Sequence, residues 1–64
     1  MEEWQKRVIK EKKDLDEKRV KLDSFFSKKA FADLDDDQKA LMVDQSLIMG
    51  EYSEILGKRI DAFK

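Results

Sequence analysis

Apolar residues return along this chain in two stretches of helical spacing, separated by a stretch where the spacing fails. In the first, Trp4, Val8, Leu15, Leu22 and Phe25 recur close to a heptad, with Glu11 and Lys18 at the alternate positions. That is a narrow seam along one side of a helix. Long Lys and Arg stems can cover its gaps, and Ile9, Val20 and Phe26 lie off it. In the second, two stripes run side by side. Leu41, Gln45, Ile48, Tyr52, Ile55 and Arg59 make one; Met42, Met49, Leu56, Ile60 and Phe63 make the other. A helix turns one face toward one partner, so this is more apolar surface than a two-helix fold can cover. The pattern predicts a helix over about 2–26, a connector over about 27–35 and a helix over about 36–63. The first stripe is expected to face the first helix, and the second to face another copy of the chain.

Local signals sharpen the hairpin. Asp35 is a good N-cap, with Gln38 three residues on to complete a capping box. Asp36 and Asp37 fall in the first turn, where the helix dipole favours negative charge. Phe31 and Leu34 are apolar residues in a short connection and are expected to plug the end of the hairpin there. Folding about 30–34 pairs positions whose numbers sum to roughly 66 or 67. Trp4 then meets Phe63, Val8 meets Arg59, Leu15 meets Tyr52 and Phe25 meets Leu41. Gly50 and Gly57 stand seven apart, where glycine costs about 1 kcal/mol against Ala. Their spacing suggests a close approach between helices. Five i,i+4 pairs (Glu2/Lys6, Glu3/Arg7, Lys10/Asp14, Asp14/Lys18, Glu17/Lys21) support the first helix by a few tenths of a kcal/mol each.

Size turns this surplus into an argument for assembly. The chain has 64 residues, 45% of them charged, with no Pro and two Gly. It is one domain, 1–64, and a marginal one as a monomer. Small chains escape marginality through disulfides, metals or oligomerisation; with no Cys and no His, oligomerisation remains. The predicted fold class is all-α: an antiparallel two-helix hairpin assembling into a homo-oligomeric helical bundle. Residues 1–29 carry ten Lys/Arg against seven Asp/Glu, and residues 30–64 carry four against eight. These fields are complementary between antiparallel helices. A net charge of −1 argues against duplex nucleic acid, which asks for a basic face. The charged N-terminus lacks the apolar segment of a signal peptide, and no apolar run reaches membrane-spanning length. No membrane partner is expected.

The candidate chemistry is sparse. Asp33, Asp35 and Asp37 stand at positions 1, 3 and 5 of a calcium loop, but Gln38 stands where such a loop needs Gly and Asp44 where it needs Glu. Capping explains these acids, and no cofactor or metal is expected. Nucleophile elbows and phosphate loops are absent from the sequence, so no enzyme is predicted. Aromatic rings and cations converge only at the end of the hairpin holding both termini, where Trp4, Arg7, Lys58, Arg59 and Phe63 gather. Arg contacts phosphate in a bidentate way and an aromatic ring stacks on a base. The plainer reading is that Trp4 and Phe63 close the core while the arginines pair with Glu3 or Glu54.

Two runs carry a resemblance. Trp4-Gln5-Lys6-Arg7-Val8-Ile9-Lys10-Glu11-Lys12-Lys13-Asp14-Leu15 resembles a recurrent opening, aromatic-Gln-x-Arg-Val-x-x-Glu-x-x-x-Leu. The ending Glu51 to Phe63 and the connector Ala30-Phe31-Ala32-Asp33-Leu34 are similar to the same pattern. The chain thereby resembles short phage proteins whose hairpin domain is shared with anti-CBASS and anti-Thoeris sponges. The resemblance implies a symmetric oligomer in the cytoplasm of an infected bacterium. It implies that the oligomer sequesters a cyclic nucleotide immune signal, a cyclic oligonucleotide or cyclic ADP-ribose isomer, without cleaving it. Trp4, Arg7, Tyr52, Lys58, Arg59 and Phe63 are the implied ligand-binding residues. Arg7 and Arg59 would contact phosphate and Trp4 or Phe63 would stack on a base; Tyr52 is equally well a core residue. The alternative is a small helical module that inhibits or caps a host or phage protein.

Overall fold

The computed structural model describes residues 1–63. Three helices follow one another: α1 (Glu3–Phe25), α2 (Lys29–Ala32) and α3 (Asp36–Asp61). The long pair, α1 and α3, forms an antiparallel hairpin, and α2 is a single turn inside the connector. The backbone N–H of Glu2 donates to Gln5 Oε1 at 2.8 Å and fixes the start of α1. Asp35 caps α3 as its sequence position predicts, its carboxylate accepting from the Gln38 backbone N–H at 2.8 Å. Lys58 and Arg59 occupy the last turn of α3, where the dipole favours cations.

The connector end is sealed by rings. Phe31, carried on α2, meets Phe26 at 5.0 Å and Phe25 at 6.2 Å, both edge to face. The ammonium of Lys39 sits 5.9 Å from the Phe31 centroid. Phe31 therefore plugs this end as expected, and Leu34 is half-buried beside it. Phe25 turns to Phe31, whereas its expected partner Leu41 is mostly exposed. At the opposite end Trp4 meets Phe63 as the register predicted, centroids 5.2 Å apart and planes at 82°.

The hairpin is a rod. Its radius of gyration is 14.7 Å and its extents are 47 × 15 × 14 Å, against a radius of about 11 Å for a compact chain of this length. Its accessible surface is 5127 Å², some 800 Å² above the roughly 4,300 Å² of a compact monomer of 7.6 kDa. Among the described residues the buried set is Val8, Ser53 and Leu56.

The packing of α3 corrects the sequence reading. The stripe expected to face α1 points outward: Leu41, Ile48, Tyr52 and Ile55 are 42–64% exposed. The stripe expected to face another copy is the inner one. Leu56 is 1% exposed, and Met42, Met49, Ile60 and Phe63 are half-buried. The reason is steric. Ser46, Gly50, Ser53 and Gly57 follow one another at i, i+4, i+7 and i+11, forming a ridge of small residues beside the Met49–Leu56 stripe. That low ridge admits α1; the bulky Ile48–Tyr52–Ile55 side does not.

Candidate functional site

What fills the low ridge is a matching polar ridge on α1: Lys12, Asp16, Arg19 and Asp23, also at i, i+4, i+7 and i+11. The two ridges meet rung by rung. Asp23 Oδ1 accepts from Ser46 Oγ at 3.2 Å. The Arg19 guanidinium lies where a Cβ on Gly50 would sit 3.4 Å from Nη2. Asp16 Oδ1 accepts from Ser53 Oγ at 2.5 Å. The Lys12 stem lies 3.4 Å from where a Gly57 Cβ would be. Gly50 and Gly57 thus do mark a close approach, but of long cationic side chains across α3. Lys12 Nζ also donates to Ser53 Oγ and Asp16 Oδ2, each at 2.9 Å, and Arg19 Nη1 reaches Asp16 at 3.2 Å. Hydrogen bonds from Ser53 and Lys12, with Arg19 behind them, hold the Asp16 carboxyl down to about 2. Each donor here is answered inside the hairpin, so this ladder is occupied with holding the helices in register.

Open chemistry lies on the outer side of α1. A shallow depression of about 440 Å³ is lined by Arg7, Lys10, Glu11, Asp14, Leu15 and Lys18 of α1 and by Tyr52 of α3. Arg7, Glu11, Asp14 and Lys18 again share one helical ridge at i, i+4, i+7 and i+11. The ion pairs explain why its end cations are available. Glu3 pairs with Lys6 at 3.8 Å rather than with Arg7. Asp14 pairs with Lys10 at 2.8 Å rather than with Lys18. The Lys10–Asp14 hydrogen bond raises the pKa of the lysine and lowers that of the acid. Arg7 and Lys18, each losing its expected i−4 partner, make no ion pair among the described residues.

The six residues singled out in the sequence divide between two places. Arg7 and Tyr52 share the depression, and Leu15 lines it too. Trp4 and Phe63 pair with each other at the end holding the termini, with Trp4 half-exposed. Lys58 is exposed and held by Glu54 at 3.5 Å, and Arg59 is exposed. Those four lie outside the lining of the depression. Among the described residues no group of three or more acids is placed to hold a metal ion, and no helix is long and apolar enough to cross a membrane.

Residues 2–62 match the family model described as Sequestin. The chain belongs to the Sequestin family. The match spans both long helices and the connector. No curated protein and no solved structure matches the chain. Sequence reasoning did not single out Glu11 and Lys18, which line the depression of this Sequestin member, because both interrupt the apolar seam of α1. The signal that finds them is their common ridge with Arg7.

Proposed function

We propose that the chain is a phage anti-defence sponge: it binds a cyclic nucleotide immune signal and sequesters it without cleavage in the cytoplasm of the infected host. The observation that carries this reading is Arg7 and Tyr52 on one open depression, in a chain whose family name denotes sequestration. A guanidinium and an aromatic face are the two groups needed to take a phosphate and a base. To outcompete an effector, a sponge needs a nanomolar Kd, about −12 kcal/mol. One shallow depression does not enclose a ligand that tightly, so the working form is a homo-oligomer.

The exposed Leu41–Ile48–Tyr52–Ile55 stripe adjoins the depression and is the surface for a second copy. The rod's surplus of about 800 Å² equals the area each partner contributes to a standard interface. The basic α1 half and the acidic α3 half give antiparallel copies complementary fields. Native mass spectrometry of the purified protein tests the reading, alone and with cyclic di- and trinucleotides and cyclic ADP-ribose isomers. Uptake of one class by an oligomer, with the ligand recovered intact, supports the sponge. An oligomer that takes up none of them refutes it in favour of a module that caps a protein through the exposed stripe.

A further inference from the structure

The depression has a polarity beyond the Arg7–Tyr52 pair. Its end cations, Arg7 and Lys18, stand eleven residues apart on α1, about 16 Å along the axis. Between them lies Glu11, an acceptor without an ion-pair partner among the described residues. Leu15 and Tyr52 are the apolar and aromatic members of its lining. A plain anion site would not carry an unpaired carboxylate between its two cations, where like charge repels the ligand. A seat for a molecule that is anionic at two ends and hydrogen-bond donating in the middle would.

We infer that the depression seats a ligand carrying two separated phosphate groups, with a hydroxyl or amine donor between them. This rests on the sponge reading and assigns roles within it. Arg7 and Lys18 each take phosphate oxygens. Glu11 accepts from a ribose hydroxyl or an exocyclic base amine. Leu15 and Tyr52 receive the flat face of the base. Lys10 is not a ligand contact, because Asp14 holds it at 2.8 Å. The site selects nucleotides over inorganic anions of equal charge, since only a nucleotide rewards Glu11 and Tyr52.

The test is isothermal titration with cyclic di-AMP, whose two phosphates stand apart, and with two probes whose phosphates are joined, cyclic ADP-ribose and inorganic pyrophosphate. The proteins are the wild type, Lys18→Ala, Glu11→Ala and, as a control outside the depression, Lys21→Ala. Lys18, Glu11 and Lys21 are exposed, and far-UV circular dichroism and native mass confirm that each variant keeps its fold and subunit number. The expected result is tight binding of cyclic di-AMP by the wild type and weaker binding of cyclic ADP-ribose and pyrophosphate; cyclic ADP-ribose bound more tightly than cyclic di-AMP overturns the separated-phosphate assignment. Lys18→Ala and Glu11→Ala should each lose about ten-fold or more in affinity, as for a charge-assisted hydrogen bond, while Lys21→Ala matches wild type. If the wild type binds a nucleotide and both Lys18→Ala and Glu11→Ala stay within about two-fold of it, the seat lies elsewhere and this inference falls while the sponge stands. Equal affinity for pyrophosphate and nucleotide overturns the role of Glu11 and Tyr52. A wild type that binds none of the probes overturns this inference, and the sponge reading falls with it when the wider panel of cyclic di- and trinucleotides and cyclic ADP-ribose isomers also goes unbound.

Discussion

Leu56 and Ile55 are neighbours of nearly equal size, and the structure gives them opposite fates. Leu56 is 1% exposed against α1, and Ile55 is 56% exposed on the outer stripe. Leu56→Ala removes three buried carbons, roughly 2.4 kcal/mol of transfer energy at about 0.8 kcal/mol each. The partly relaxed cavity brings the cost to about 2–4 kcal/mol. That is a large part of the about 3–10 kcal/mol available to 64 residues. Ile55→Ala gives up only partial burial, and Ala regains some of it as the better helix former. For the isolated hairpin its cost is below about 1 kcal/mol. Urea unfolding followed by far-UV circular dichroism, run over a series of dilutions, separates the two. At low concentration Leu56→Ala should unfold far earlier than wild type and Ile55→Ala almost with it. At high concentration Ile55→Ala should lose the extra stability that assembly gives the wild type. An Ile55→Ala variant as unstable on dilution as Leu56→Ala would mean that the outer stripe, not the Met49–Leu56 side, packs on α1.

Four further outcomes are expected. Ile48→Asp, which buries a charge in the proposed seam between copies, should shift the oligomer to monomer in sedimentation velocity while helicity is retained; an unchanged oligomer would remove the stripe from the interface. Arg7→Ala should abolish nucleotide uptake in native mass spectrometry without changing subunit number, and Arg59→Ala, tested beside it, shows whether the end holding the termini takes part; unchanged affinity in both would end the assignment of phosphate contacts to these arginines. Gly50→Ala should raise the melting temperature by about 4–8 °C, because Ala gains up to about 1 kcal/mol of helix propensity and meets only the movable end of Arg19 at 3.4 Å; a fall in melting temperature would show that Arg19 cannot give way. Asp16, held down to about 2 from an ordinary 3.8, adds stability that is fully present above the unfolded value and is lost as pH falls from about 4 toward 2; Asp16→Asn should flatten that acid limb, and an unchanged pH profile would show the ladder to be electrostatically idle.

Much of the hairpin was legible in the residues because it rests on local rules. The Asp35 cap, the two long helices and the Trp4–Phe63 closure follow from capping chemistry, helical spacing and the length of the connector. The choice of inner face was not legible in the same way. Lys12, Asp16, Arg19 and Asp23 read as a solvated charged face, and Ser46, Gly50, Ser53 and Gly57 read as weak spots in an apolar helix. Only side by side do they become complementary, and hydropathy has no notation for a low ridge that admits a tall polar one. The same blindness hid Glu11 and Lys18. Pairing rules offered Asp14 to both Lys10 and Lys18, and the structure gives that acid to Lys10 alone.

The ladder between α1 and α3 also divides the chain's freedom to change. Lys12, Asp16, Arg19 and Ser53 share one hydrogen-bonded network, so a change at any one of them is felt by the other three. The outer flank bears no such obligation. Residues at 7, 11, 15, 18 and 52 answer to whatever lies outside the hairpin and can be exchanged singly without disturbing helix register. A lineage built on this plan can change the chemistry of its outer flank quickly while its architecture stands still.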